Sequence, residues 1–122
     1  MQRRLLYSTL VVLLISGVYW ALIHYGGAKP YLGESLLMKI HGAAAMVALI
    51  VIGGLLAIHV PCGWAVRRSR PSGSAMLVLC ALLTLTGYLL YYAGAETARD
   101  ISSYVHLALG LTLPIVLGAH LL

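Results

Sequence analysis

Charge is what this chain has least of. Of its 122 residues only three are acidic and eight are Lys or Arg, 9% in all, whereas 61% are hydrophobic. A soluble domain carries about 25% charged residues. A water-solvated globule is therefore excluded, and a single-domain polytopic membrane protein is expected instead. Cysteine is nearly as scarce. Cys62 and Cys80 stand alone, with neither CxxC nor CxxCH spacing, which excludes a zinc ribbon and covalent haem attachment. Cys62 falls at the end of one apolar span and Cys80 inside the next, so no disulfide is expected, and both read as small buried hydrophobes. The net charge of +5 follows membrane topology, and no nucleic-acid partner is read from it.

What is there is a succession of long apolar runs. Met1–Arg4 is a short basic start to a first span over about 5–24, too long for the apolar region of a signal peptide and without a small-x-small cleavage site. Tyr19, Trp20 and Tyr25 fall where an aromatic belt is expected. Gly26-Gly27-Ala28-Lys29-Pro30 breaks this helix. A second span over 36–60 is expected to stop at Pro61-Cys62-Gly63-Trp64. Pro71-Ser72-Gly73 reads as a turn before a third span over 74–92. Glu96, Arg99 and Asp100 form a polar loop before a fourth span over 101–122, in which Pro114 predicts a kink. The fold expected is all-α, a transmembrane four-helix up-down bundle joined by short connections. The pattern contains no clear internal repeat beyond the histidines of spans two and four.

Basic residues set the orientation. Arg3, Arg4, Arg67, Arg68 and Arg70 lie on one side, while Lys29, Lys39 and Arg99 lie on the other with all three acids. The positive-inside rule then puts both termini and the arginine loop in the cytoplasm, in a bacterial inner membrane crossed several times.

Against that background the histidines stand out, because ionisable side chains are expensive in lipid and mark function by default. His106 and His120 are fourteen residues apart in span four, nearly one face and about 21 Å along the axis. His41 and His59 are eighteen apart in span two, again one face, with a rise of about 27 Å. The two spans run in the same direction, so His41 and His106 share one depth and His59 and His120 the other. Tilt, or distortion at Gly53-Gly54 or Pro114, must absorb the difference in rise.

Imidazole suits iron, copper, zinc and nickel. Zinc and copper want more ligands at one level, whereas two axial imidazoles and a porphyrin need only a facing pair. Two b-type haems are therefore expected, an outer one on His41 and His106 and an inner one on His59 and His120. Closed axial positions favour electron transfer. Ala45, Ala48 and Ile52 on span two, with Gly110, Leu113 and Leu117 on span four, share the histidines' faces. Gly110, one turn after His106, would let a ring approach the backbone. Each ligand's second nitrogen needs an acceptor: Ser102, four residues before His106, offers one, and the other three have only backbone carbonyls in view. Arg67, Arg68 and Arg70 on one side, and Lys39 and Arg99 on the other, are candidates for haem propionates. His24 reads as a solvated residue of the belt, the alternatives being an outer-surface proton or quinone group or a replacement for His41 or His106 as a ligand.

Paired histidines on two helices resemble the diheme transmembrane b-type cytochromes. These include the cytochrome b of quinol:cytochrome c oxidoreductases, the ascorbate-dependent membrane cytochromes, and the b-type subunits of formate dehydrogenases and hydrogenases. The matching positions are His41, His59, His106 and His120. The resemblance implies an electron-transfer subunit, rather than a self-contained oxidoreductase, that carries electrons across the bilayer. Quinol or a redox subunit would stand on one side and a periplasmic cytochrome or larger oxidoreductase complex on the other. Membrane lipid surrounds it. Three rivals remain: a single haem on His41 and His106, a non-redox anchor or assembly subunit whose histidines only hydrogen-bond between helices, and a chlorin-binding protein.

Overall fold

A computed structural model describes residues 2–29, 31–66 and 70–121 of the chain. Four helices account for most of them: α1 (Gln2–His24), α2 (Glu34–Val66), α3 (Arg70–Tyr92) and α4 (Glu96–Leu121). Among the described residues there is no strand, so the all-α expectation holds. Each helix has at least 23 residues, and about 20 suffice to cross the hydrocarbon core. All four are apolar enough to do so. The protein is a multi-pass membrane protein.

The chain divides into two compact units, Met1–Cys62 and Gly63–Leu122. Each contains a helical hairpin: α1 with most of α2, and α3 with α4. The first hairpin turns on glycine. Gly27 takes a left-handed φ of 65°, open to glycine without steric cost, and the Ala28 N–H donates back to the Leu22 carbonyl at 3.2 Å. A Cβ on Gly26 would fall 2.6 Å from that same carbonyl oxygen, so this position also excludes a side chain. The Tyr31 N–H donates to the Tyr19 hydroxyl at 2.9 Å, fastening the returning chain to α1.

The packed seams have a seven-residue period. Thr9, Ser16 and Ile23 are the buried residues of α1. In α3, Leu79 and Thr86 are buried, and Ser72 continues the series one step earlier as a half-buried residue. A sustained seven-residue spacing keeps one stripe against an antiparallel neighbour. Facing α1, α2 buries Leu37, Ala44 and Ala48; in the second hairpin, α4 buries Ser102. Small residues dominate these seams, as close helix approach within lipid requires. Bulky side chains such as Ile15, Ile50 and Ile115 are exposed, the disposition of groups in contact with lipid.

Hydroxyls can enter such a seam because the helix satisfies them. Thr9 donates to the Leu5 carbonyl, Ser16 to that of Val12 and Thr86 to that of Leu82. Each is a bond one turn back along its own helix.

Three expected boundaries move. α2 passes through Pro61 to Val66 instead of stopping before it, because proline removes a single backbone donor and membrane helices tolerate that loss. Pro71 lies in the first turn of α3, where its missing N–H has no partner to lose. The polar segment from Glu96 to Asp100 is helical rather than loop, with Glu96 placed favourably against the N-terminal end of the helix dipole. Helix α4 runs through Pro114 unbroken. Both cysteines are free, but Cys62 is exposed rather than buried, since it sits in the extension of α2.

Candidate functional site: three histidine cradles

The histidines expected to bind a cofactor are not alike. His41, His106 and His120 are half-buried, whereas His59 is exposed. In each half-buried case the Nδ1 atom meets a hydroxyl on the preceding helix of its own hairpin. His41 Nδ1 lies 2.7 Å from Ser16 Oγ. His106 Nδ1 lies 2.8 Å from Thr86 Oγ1, and His120 Nδ1 lies 3.2 Å from Ser72 Oγ.

The residue after each hydroxyl is glycine. A Cβ on Gly17 would come 3.4 Å from His41 Cε1, one on Gly87 3.4 Å from His106 Cε1, and one on Gly73 3.5 Å from His120 Cε1. A Ser-Gly or Thr-Gly step thus makes a cradle: the hydroxyl meets one ring nitrogen and the bare glycine accepts the adjoining carbon. In the second hairpin the two cradles keep a common register. Ser72 and Thr86 are fourteen residues apart, as are His106 and His120, and antiparallel helices bring the earlier hydroxyl to the later histidine.

The hydroxyls are also held by their own helices: Ser16 donates to Val12 O at 2.6 Å and Thr86 to Leu82 O at 2.8 Å. His106 makes a further hydrogen bond to the backbone of Leu83, one turn before Thr86 on α3.

The remaining expected residues fall as follows. Ser102 is buried at 5% exposure, but the hydroxyl that meets His106 is that of Thr86. A Cβ on Gly110 would meet nothing within 4 Å, leaving room beside the backbone one turn after His106. Ala48 is part of the buried seam of α2, whereas Ala45 and Ile52 are half-buried. Arg67 and Arg68 lie outside the described residues, as does Pro30. Arg70 is engaged: its Nε and Nη2 donate to the Trp64 carbonyl at 3.1 and 2.6 Å, and its guanidinium lies 5.1 Å from the Trp64 ring centroid. Lys39 and Arg99 are exposed. His24 stacks on Trp20 at 4.5 Å and meets Tyr25 edge-on, within the aromatic belt.

Sequence reasoning missed Ser16, Ser72 and Thr86. The signal was nonetheless present, as a Ser/Thr-Gly dipeptide whose fourteen-residue spacing on one span matches the histidine spacing on the next. Aligned on their cradles, the hairpins also share more than histidine: Ile50-Val51-Ile52-Gly53-Gly54 follows His41 at the distance at which Ile115-Val116-Leu117-Gly118-Ala119 follows His106. This repeat was not apparent from the histidines alone. Among the described residues no three His, Cys, Asp or Glu side chains gather as a metal-binding group.

The chain matches no known family model, no curated protein and no solved structure.

Proposed function

We propose that this is a b-type membrane cytochrome, an electron-transfer subunit whose histidines are axial ligands to haem. The observation that carries this reading is the recurrence of one cradle at His41, His106 and His120, each with Nδ1 against a hydroxyl. Bound haem supplies a one-electron ferric–ferrous couple whose potential the axial ligands and their hydrogen bonds tune. The chain's own contribution is to orient the imidazoles, surround the ring with apolar side chains and exclude water.

Spans two and four run in the same direction, which would pair His41 with His106 towards the periplasm, and His59 with His120 towards the cytoplasm of a bacterial inner membrane. Quinol, a redox subunit or a periplasmic cytochrome would exchange the electrons.

A second reading has an observation of its own. The same hydroxyl–imidazole bonds tie each hairpin together, as interhelical polar contacts do in membranes at about 0.6–2 kcal/mol each. A non-redox anchor subunit would need nothing more.

Oxidised and reduced visible spectra of the purified protein separate the two. The cytochrome reading expects a Soret band, split reduced α-bands and about two haems per chain by pyridine haemochrome. A content of about one that survives loss of His59 and His120 reduces the protein to a single site. A protein purified without any Soret band and unable to take up haemin defeats the cytochrome reading and favours the anchor.

A further inference from the structure

We propose that the inner haem is held by His120 alone, and that its other axial position is open to a small neutral ligand of the carbon monoxide type. The proposal rests on the cytochrome reading and narrows the inner pair of that reading to one histidine.

The two hairpins differ in how many histidines they seat. The second seats two, His106 against Thr86 and Gly87, and His120 against Ser72 and Gly73. The first seats His41 against Ser16 and Gly17. Fourteen residues before Ser16-Gly17 the sequence has Gln2-Arg3, neither a hydroxyl nor a glycine, and fourteen residues after His41 it has Leu55. The second histidine of α2 comes a turn later, at His59, which is exposed where His120 is half-buried.

That extra turn decides the ligation. An iron gripped from both sides needs its two imidazoles at one level, since a metal–imidazole bond spans only about 2 Å. With the outer pair level, His59 and His120 are out of step by the difference between eighteen and fourteen residues, about 6 Å of helix. Helix α2 continues without a break through Gly53-Gly54, and α4 through Pro114, so neither place shortens the rise. Tilt alone would have to reach about 39° to foreshorten about 27 Å to about 21 Å, the far end of the roughly 0–40° that membrane helices adopt. The residue that spacing offers in place of His59 is Leu55, whose aliphatic side chain has no lone pair for iron. An axial position left without a protein ligand makes haem a binder of small molecules as well as an electron carrier. Apolar surroundings favour a neutral diatomic molecule there over an anion, which would have to give up its hydration.

The test uses the full chain in lipid nanodiscs, carrying its haem or reconstituted with haemin, reduced and exposed to carbon monoxide. About two haems per chain are expected, of which about half take carbon monoxide, read as a Soret shift in that fraction. His120→Ala should lose this fraction together with its haem, and His59→Ala should lose neither. Leu55→His supplies an imidazole at the matching spacing and should close the site, leaving low-spin haems that refuse carbon monoxide.

Wild-type haems that all refuse carbon monoxide overturn the proposal and leave the cytochrome reading intact. So does a His59→Ala protein that loses haem or gains carbon monoxide binding, or a Leu55→His protein that binds as much as the wild type. A single haem that needs His41 and His106 also overturns it, since no inner haem then exists. A chain that takes up no haem defeats this proposal and the cytochrome reading together. The wild-type measurement needs no variant, so it decides the matter even should a substituted protein lose its helix content.

Discussion

At the residue scale, a hydroxyl and a glycine side by side do what neither does alone. Serine and threonine enter a membrane seam because their own helix accepts their hydrogen, and the oxygen then stands within hydrogen-bond distance of the histidine ring. The glycine admits the ring. At Gly87 the clearance sets a size limit: a Cβ would stand 3.4 Å from His106 Cε1. Gly87→Ala should therefore fold with little loss of stability, with the ring giving by a few tenths of an ångström. Gly87→Leu must displace the ring, at about 1–3 kcal/mol by the usual cost of overpacking. Thermal unfolding followed by circular dichroism should show the loss; a Gly87→Leu protein as stable as the wild type would mean that the ring is not confined there.

At the scale of the element, proline and length shape α2. Its 33 residues extend about 50 Å, well beyond the roughly 30 Å hydrocarbon core. Pro61 stands inside it and deprives the Ala57 carbonyl of its usual helical donor. Pro61→Ala should restore that bond and raise stability by as much as about 3 kcal/mol, the cost assigned to an interior proline. A higher melting temperature in detergent is the expected result. A lower one would show that Pro61 maintains a shape the helix needs near His59.

At the scale of the whole molecule, the four spans and the distribution of arginine call for one topology. Cys62 offers a direct check, being exposed near the far end of α2 while Cys80 is half-buried within α3. A membrane-impermeant maleimide should label Cys62 in inverted membrane vesicles but not in intact cells, and should leave Cys80 unmodified in both. Labelling of Cys62 from outside the cell would reverse the orientation, and with it the assignment of His41 and His106 to the periplasmic side.

Membrane class, helix number and the positions of the histidines were legible in the sequence, since each is a property of composition or of spacing along one helix. Hydropathy needs no partner, and two residues fourteen apart share a face whatever surrounds them. The partners of those histidines were not legible in the same way. Ser102 was the natural choice for His106 because a step of four along one helix can be read directly. Thr86 sits on another helix, and its register with His106 depends on the short 93–95 connection and on which stripe of α3 packs inward. Likewise His59 looked equivalent to His120 by spacing alone, but His59 is exposed whereas His120 is half-buried beside Gly73. Spacing within a helix is fixed by its pitch, but contact between helices is chosen by turns and packing, and so only tertiary structure could decide it.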